Sequence, residues 1–169
     1  MEFRLAKTED LPQLKTMFHS IVKNMLRNGL KIWNDSYPYE EFPYEIEDRC
    51  LYLITKEDKI LATFCLHDST DGQDCFDWKE KSAKALYLSC LGINVDNLRT
   101  GLGSLTLNYA IKIAQEKNAE YLRLLVVEEN IPAKNLYLKN GFTKVEGVYS
   151  EFSESNNRVM KEYGFEIKL

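Results

Sequence analysis

Two runs of almost uninterrupted apolar residues place the strongest constraint on how this chain can fold. One extends from Ala85 to Ile93 and the other from Tyr121 to Val127. A strand that is apolar on both faces belongs in the middle of a sheet that is covered on both sides. Between the two runs, apolar residues recur at helical spacing over 102–117, which predicts an amphipathic helix. The pattern therefore predicts a mixed α/β fold built around a central sheet.

The sequence on either side of this centre predicts further helices and strands. Thr8-Glu9-Asp10 supplies an N-cap and first-turn acids, and the apolar spacing that follows predicts a helix over about 9–28. Apolar runs at 51–54 and 60–66 flank a polar turn and predict an antiparallel hairpin. We also expect a strand at 3–5, short helices near 40–49 and at 132–140, closing strands at 142–149 and 163–169, and a polar linker over 150–158. No repeat or interdomain linker interrupts this order, which predicts one domain over residues 1–169.

The charge balance and the apolar runs exclude two classes of partner. The 169 residues include 22 basic and 26 acidic side chains, a formal net charge of -4. A general nucleic-acid-binding protein carries a basic excess that neutralises phosphates, so this balance argues against that class. The first residues lack the basic segment and apolar core of a secretory signal, and no apolar run reaches the roughly 20 residues that span a bilayer. We therefore expect a cytoplasmic protein that does not bind a membrane.

The cysteines and histidines give no sign of a metal site. No C-x-x-C pair is present among the four cysteines, and the two histidines are isolated in the sequence. Cys50, Cys65 and Cys90 lie in apolar segments, where a buried thiol that acts as a small hydrophobe is the expected role. The spacing along the chain therefore predicts no metal.

The loop that joins the first apolar run to its helix is the strongest candidate for binding an anion. It reads Arg99-Thr100-Gly101-Leu102-Gly103-Ser104. Backbone N–H groups at a helix N-terminus lack a partner inside the helix and lie at the positive end of its dipole. The two glycines let the backbone approach a phosphate closely, while the arginine adds a cation and the two hydroxyl side chains add donors. The alternative is that the glycines only shape a turn. A P-loop and a dinucleotide fingerprint are both excluded, because their further Lys and Gly residues are missing.

A second segment, over 130–142, combines a helix with polar groups at its start. Ala133 and Tyr137 fall on one helix face because they are four residues apart. Asn130 precedes the first turn, so its amide can either cap the helix or reach a ligand.

Together, Gly101-Leu102-Gly103 and the pattern N-x-x-A-x-x-L-Y-x-x-x-G-F over 130–142 resemble the GNAT superfamily of N-acetyltransferases. The two halves lie at the family's usual separation, and the whole chain follows its order of elements. The stretch 33–38 and Asp77-Trp78 are similar to a subgroup of small bacterial members. The resemblance implies the acyl-CoA N-acyltransferase fold: a mixed, mostly antiparallel sheet of six to seven strands, with splayed parallel strands at its centre and about four flanking helices. It also implies that acetyl-CoA is the co-substrate, that no metal takes part, and that a primary amine attacks the thioester directly in a ternary complex.

The resemblance assigns a role to particular residues of this sequence. The implied cofactor-binding residues are Leu91, Ile93, Arg99, Thr100, Gly101, Leu102, Gly103, Ser104, Asn130 and Ala133. Backbone groups of Leu91 and Ile93 are expected to bind the pantetheine arm, and the loop to bind the pyrophosphate. Tyr137 is the implied general acid beside the thioester sulfur, and the alternative is that it packs the helix with its hydroxyl in water. The family usually has Gln or Arg three residues before the first glycine, where this chain has Leu98.

The resemblance leaves the proton acceptor open. The strand over 85–93 offers no carboxylate. A chain of water molecules is one candidate, and Asp77, Glu151 or Glu154 reaching in from a loop is another. Cys90 as an acyl-carrying nucleophile has no histidine nearby in the sequence to activate it.

The acceptor amine is also left open. Its pocket is expected to form from segments 30–44, 68–82 and 150–158. Trp33, Tyr37 and Trp78 are candidates for stacking on a cationic amine, or else for anchoring these loops. A polyamine, an amino acid, an antibiotic, a peptide N-terminus and a protein lysine are all compatible with the sequence. Homodimers are common among such small domains, although no sequence feature indicates one.

Two other functions fit the same pattern. A non-catalytic acyl-CoA-binding or sensor module is favoured by Leu98 and by the missing strand carboxylate, and opposed by Tyr137 and Asn130. An acyltransferase that uses a longer or aminoacyl donor is the other alternative.

Overall fold

The computed structural model describes residues 1–154 and 156–169. The helices of this part of the chain are α1 Leu11–Arg27, α2 Phe42–Glu47, α3 Leu102–Glu116 and α4 Ile131–Lys139. The strands are β1 Glu2–Leu5, β2 Leu51–Lys56, β3 Lys59–His67, β4 Ala85–Ile93, β5 Tyr121–Val127, β6 Thr143–Lys144, β7 Tyr149–Ser153 and β8 Arg158–Lys168. The chain divides into two compact units. The first comprises Met1–Cys65 and Cys90–Thr106, and the second comprises Leu66–Ser89 and Leu107–Leu169.

The first unit contains an antiparallel meander covered by helices. β1 pairs with β2, and β2 pairs with β3 through a hairpin. Glu57 and Asp58 form the hairpin turn with φ values of 50° and 60°, the left-handed pair that a tight two-residue turn requires. The core that joins this meander to α1 and α2 consists of Ala6, Leu14, Met17, Phe18, Ile21, Phe42, Leu51, Leu53, Ile60 and Cys65.

The start of α1 differs from the sequence prediction. The N-cap residue of α1 is Asp10, and Thr8 begins a short 3-10 helix instead. The Asp10 carboxylate forms an ion pair with Arg4 at 2.7 Å and accepts a hydrogen bond from the Lys7 N–H at 2.8 Å. The hydrogen bond from Arg4 holds the pKa of this carboxyl below its usual value. The prediction that Thr8 caps the helix was wrong, because this ion pair shifts the start of the helix.

The second unit contains the parallel pair of strands. β4 pairs with β5 in parallel from Ala85–Tyr121 to Leu88–Leu124. The other side of β5 pairs with β8 in antiparallel orientation along its whole length, and β6 and β7 also pair with β8 in antiparallel orientation. The mixed, mostly antiparallel sheet with four flanking helices confirms the predicted fold class, and the described residues form eight strands where six to seven were expected.

The prediction of a polar linker over 150–158 was wrong. β7 occupies Tyr149–Ser153 and β8 begins at Arg158, so this stretch is largely a hairpin. Most of its side chains are exposed, and a hairpin without a buried face shows no alternation of apolar and polar residues. Ser155 of the predicted linker lies outside the described residues.

Phe76 and Trp78 anchor the polar segment that precedes β4. Their side chains are 1% and 6% exposed. A Cβ on Gly164 would lie 2.8 Å from the Phe76 ring and 3.0 Å from the Trp78 ring, so only glycine lets the two rings approach β8 this closely. Gly147 has a φ of 117°, and a Cβ there would lie 2.2 Å from the Cys75 carbonyl oxygen.

None of the helices in residues 1–154 and 156–169 combines the length and the apolar character needed to cross a bilayer. The prediction of one domain over residues 1–169 stays a prediction.

Candidate active site

The segment that follows β4 is held to the neighbouring hairpin by Asn94. The Asn94 backbone N–H donates to the Leu61 carbonyl at 2.8 Å, and its side-chain amide donates to the Ile60 carbonyl at 3.2 Å. The Asn94 side-chain oxygen accepts a hydrogen bond from the Asp96 N–H, which starts the 3-10 turn Val95–Asn97. One side chain therefore fixes both the end of β4 and the direction in which the next loop leaves it.

The loop before α3 has the backbone geometry of an anion site. Arg99 and Gly101 adopt left-handed φ values of 62° and 87°. A Cβ at Gly101 would meet nothing within 4 Å, so the surface there is open to a ligand. The first helical hydrogen bond runs from the Leu105 N–H to the Gly101 carbonyl at 3.1 Å. The earlier N–H groups, such as those of Leu102 and Gly103, therefore have no carbonyl partner inside the helix.

The side chains of this loop differ in whether they can form a hydrogen bond or an ionic contact with a ligand. Arg99 is exposed, so its guanidinium is accessible to an anion. The Thr100 hydroxyl already donates to the Asn97 carbonyl at 2.7 Å, so its proton is committed within the loop. Leu98, at the position where the resemblance implies Gln or Arg, is 43% exposed. The positive charge and the backbone donors suit a pyrophosphate, whereas Leu98 adds nothing polar.

The last part of β4 is distorted at Cys90. Its φ of 50° is left-handed, which is rare for a non-glycine residue inside a strand. The carbonyl of this residue accepts a hydrogen bond from the Thr63 hydroxyl at 3.0 Å. Two residues further on is Gly92. A Cβ at this position would lie 2.8 Å from the Phe18 ring, so α1 approaches this part of the strand closely. Leu91 and Ile93 flank this glycine and are half-buried.

The start of α4 is capped by Asn130. Its side-chain oxygen accepts a hydrogen bond from the Ala133 N–H at 3.3 Å, and Pro132 occupies the first turn. The sequence left capping and ligand binding open for this residue. The structure assigns capping to the oxygen, which leaves the side-chain NH₂ as the group that can donate to a ligand.

Tyr137 is a buried residue of α4. Its side chain is 8% exposed, and its ring lies 5.8 Å from the Phe142 ring and 6.3 Å from the Phe165 ring. The hydrogen bond from the Phe142 N–H to the Tyr137 carbonyl, at 3.1 Å, closes the end of the helix. The ring thus packs α4 against β8, and its position is fixed by that packing.

A model of the acetyltransferase (GNAT) family matches residues 16–142. This match spans most of the chain. The chain belongs to the GNAT family. No curated protein matches the chain.

Solved structures of GNAT proteins share this fold. The acetyltransferase of Streptococcus agalactiae 2603 has a TM-score of 0.79 at 12% identity and covers 99% of this chain and 95% of its own. The acetyltransferase of Listeria monocytogenes 4b F2365 has a TM-score of 0.74 at 18% identity, with 99% and 94% covered. The ribosomal-protein-S18-alanine N-acetyltransferase of Escherichia coli has a TM-score of 0.69 at 17% identity, with 99% and 92% covered. At these identities the likeness concerns the fold alone.

The aromatic residues proposed for an acceptor pocket of this GNAT protein have different surroundings. Trp33 packs on the Phe18 ring at 5.3 Å and belongs to the core of the first unit. Trp78 is buried, donates its ring N–H to the Gln73 carbonyl at 2.7 Å, and stacks on the Arg123 guanidinium at 4.8 Å. These contacts favour the anchoring role that the sequence left open for both tryptophans. Tyr37 is 48% exposed.

The carboxylates suggested as proton acceptors are all exposed. Asp77 forms an ion pair with Lys81 at 3.0 Å, with both side chains largely in solvent. Glu151 lies on β7, and Glu154 follows that strand.

Glu162 is a carboxyl that the sequence reasoning missed. In the sheet it lies opposite Val127, the last residue of β5, and opposite Tyr149 of β7. Burial and the nearby charge of Glu151 raise its pKa to about 7. The sequence alone did not reveal this raised pKa, because the strand that brings Glu151 beside Glu162 was predicted to be a linker.

The raised pKa of Glu162 predicts that stability depends on pH. The folded protein keeps a proton on this carboxyl between about pH 4.5 and pH 7, whereas the unfolded chain releases it. The free energy of unfolding is therefore expected to fall as the pH rises through this window, by at most about 3 kcal/mol. Urea denaturation at both ends of the window measures this change.

The variant Glu162→Gln is expected to flatten this pH dependence, because glutamine carries no titrating proton. Glu154→Gln, at an exposed position, is the matched control and is expected to keep the wild-type slope. An unchanged slope in Glu162→Gln would show that this carboxyl titrates normally.

Proposed function

We propose that this GNAT protein transfers an acetyl group from acetyl-CoA to a primary amine, by direct attack of the amine within a ternary complex. The observation that carries the proposal is the loop before α3. Its left-handed residues Arg99 and Gly101 and the N–H groups of the first helical turn form an anion site. Members of this family use acetyl-CoA, whose pyrophosphate is an anion of the matching kind.

The cofactor-binding roles proposed for the chain follow from the donors that each segment offers. The loop over 99–104 binds the pyrophosphate through backbone N–H groups, with the exposed Arg99 guanidinium as a counter-charge. Backbone groups of Leu91 and Ile93 bind the pantetheine arm, and a backbone N–H there polarises the carbonyl under attack. The free NH₂ group of Asn130 and the adjacent Ala133 contact the same cofactor. When bound, acetyl-CoA supplies the acetyl group as a thioester.

Tyr137 is proposed to donate a proton to the departing thiolate. A phenol with a reference pKa of about 10 is a suitable acid for a thiolate leaving group. Its ring is locked by Phe142 and Phe165, so the hydroxyl is held in place without the loss of side-chain freedom during the reaction.

Glu162 is proposed to take the proton from the attacking amine. An amine must be neutral to attack, and a base works best when its pKa lies near the working pH. Glu162 lies opposite Val127 at the carboxyl end of β5, and burial together with the charge of Glu151 raises its pKa to about 7, which meets this condition. Asp77 is the weaker candidate, because it is paired with Lys81.

The second candidate function is an acyl-CoA-binding module without turnover. Exposed Leu98 and the committed hydroxyl of Thr100 favour it, because both weaken the set of polar side chains around the loop. Release of coenzyme A that depends on an added amine distinguishes the two functions, since a binding module gives none.

Calorimetric titration with acetyl-CoA tests the cofactor site. Wild type is expected to bind one equivalent. Gly103→Trp is expected to lose measurable binding, because an indole at the first helical turn fills the space for the pyrophosphate. Asn108→Trp is the matched control, because it places the same ring on an exposed position of the same helix, and it is expected to bind as wild type does.

Failure of wild type to bind acetyl-CoA at millimolar concentration would contradict the proposed function. Binding that survives in Gly103→Trp would place the cofactor elsewhere on the chain and leave the acetyltransferase activity itself untouched.

A further inference from the structure

His67 and Ser89 form a hydrogen-bonded pair within the second unit. His67 is the last residue of β3, Ser89 lies on β4, and the distance from the His67 Nε2 to the Ser89 Oγ is 3.0 Å. Both side chains are half-buried, so the pair is partly shielded from water without being enclosed. The histidine is isolated in the sequence, and only the folded chain brings it to a hydroxyl group.

Ser89 lies where the parallel pairing of two strands ends. In the register of β4 and β5 the last paired positions are Leu88 and Leu124, and Ser89 is the next residue of β4. Both strands continue beyond this position, and the left-handed φ of Cys90 changes the direction of β4 immediately afterwards. The serine is therefore placed at the point where the two strands begin to separate.

The partner of this serine differs from the partners of other hydroxyl groups in the chain. Thr63 donates to the Cys90 carbonyl at 3.0 Å, and Thr106 donates to the Leu102 carbonyl at 2.8 Å. Such bonds satisfy a carbonyl of the fold, and most side-chain hydrogen bonds are made to backbone or water. Ser89 is bonded instead to an imidazole nitrogen, which is a base that can take its proton.

We propose that Ser89, activated by His67, accepts an acetyl group from acetyl-CoA when no amine is bound, and that the protein thereby also hydrolyses acetyl-CoA. This second activity rests on the proposed function, which assigns the pantetheine arm to backbone groups of Leu91. Leu91 follows Ser89 by two residues, a length of chain that spans at most about 7 Å. A nucleophile within hydrogen-bonding distance of its base is the arrangement that covalent acyl transfer uses.

The reaction balances with water as the final acceptor. The Ser89 Oγ attacks the carbonyl carbon of the thioester while the His67 Nε2 takes the hydroxyl proton, which requires the tautomer that carries its own proton on Nδ1. The C–S bond breaks as the C–O bond forms, and the imidazolium gives its proton to the sulfur, so coenzyme A leaves as the thiol. His67 then takes a proton from a water molecule that attacks the ester. Acetic acid is released, and Ser89 regains its proton from the imidazolium.

This acetylation is tested with two acetyl donors and without an amine. The full chain is mixed with acetyl-CoA or with p-nitrophenyl acetate, quenched with acid at early times, digested and analysed by mass spectrometry. We expect one acetyl group on the peptide that contains Ser89. Hydroxylamine is expected to remove it, because hydroxylamine cleaves an ester but leaves the amide of an acetylated lysine intact. Chromatography over longer times is expected to show more than one equivalent of coenzyme A released per chain, because water regenerates the serine.

Three variants assign the reaction to the pair. Ser89→Ala is expected to lose both the acetylated peptide and the release of coenzyme A without amine. His67→Gln keeps the serine but lacks the base, and it is expected to slow the acetylation about 10²- to 10⁴-fold, the usual contribution of a general base. Ser150→Ala is the matched control, because Ser150 is an exposed serine of the same unit, and it is expected to react as wild type does.

Two results would overturn the proposal. One is a wild-type chain that binds acetyl-CoA by calorimetry but neither acquires an acetyl group at Ser89 nor releases coenzyme A without amine. The other is a reaction that proceeds at the wild-type rate in Ser89→Ala, or in His67→Gln whose circular dichroism shows a folded chain.

Failure of the proposed function gives a different result. Calorimetry would then show no binding of acetyl-CoA, and p-nitrophenyl acetate, which needs no coenzyme A site, would test the activated serine alone. An unlabelled Ser89 in that experiment would overturn the pairing of nucleophile and base as well.

Discussion

The Tyr137→Phe variant is expected to release coenzyme A in the presence of saturating amine about 10²- to 10⁴-fold more slowly than wild type does, because the leaving thiolate loses its proton donor. The ring itself remains, and with it the contacts to Phe142 and Phe165. The affinity for acetyl-CoA and the free energy of unfolding are therefore expected to stay close to the wild-type values. Steady-state kinetics with a thiol-reactive reagent, run beside calorimetry, separates the chemical step from binding.

Tyr121→Phe is the matched control for this experiment. The Tyr121 side chain is 2% exposed, and its hydroxyl has no hydrogen-bond partner among the described residues. Removal of that hydroxyl is expected to leave the rate unchanged, since no catalytic role is proposed for it. A rate for Tyr137→Phe within about twofold of wild type would remove Tyr137 from the mechanism and leave it a packing residue.

The Arg123→Ala variant is expected to lose about 3–5 kcal/mol of the free energy of unfolding, the usual cost when one member of a buried ion pair is removed. Arg123 and Glu166 are 2% and 3% exposed, and Arg123 Nε lies 3.1 Å from Glu166 Oε2. The guanidinium also donates to the Glu80 carbonyl at 2.7 Å and stacks on Trp78. Truncation leaves the Glu166 carboxylate buried without its charge partner. Guanidinium chloride denaturation measures the loss.

Two further variants show whether burial causes this effect. Lys81→Ala removes the exposed ion pair between Lys81 and Asp77 in the segment that precedes β4. It is expected to lower the free energy of unfolding by less than about 1 kcal/mol. The double variant Arg123→Met/Glu166→Leu removes both charges while keeping much of their volume, and it is expected to be more stable than Arg123→Ala. Equal losses for Arg123→Ala and Lys81→Ala would contradict this account.

The central elements were predictable because their apolar pattern is strong. The predicted strand over 85–93 and the predicted start of the helix at 102 agree with the bounds of β4 and α3. β4 has no exposed residue and one face of α3 is buried, so burial constrains which positions of each element are apolar. The resemblance to GNAT proteins, carried by two motifs, was likewise confirmed by the family match.

The site residues were predictable only in part, because tertiary contacts decide what their side chains can do. Nothing in the sequence marks Cys90 as left-handed, since glycine is the residue normally found at such a φ. The hydrogen bond that commits the Thr100 hydroxyl to Asn97 forms only in the folded turn. Glu162 was missed for a related reason, because its shifted pKa requires both burial and Glu151. The roles of Tyr137, Asn130 and the cofactor-binding residues stay predictions.

The two units of this chain are interleaved along the sequence, and this has a consequence for dissecting the protein. The three boundaries fall at Cys65/Leu66, Ser89/Cys90 and Thr106/Leu107, inside β3, β4 and α3. Neither unit is a continuous stretch of sequence, so cutting the gene at any of these positions would divide a helix or a strand. Truncated fragments are therefore expected to be insoluble or unfolded, and a split reporter based on this protein would have to be cut in a surface turn instead, such as the Glu57–Asp58 hairpin.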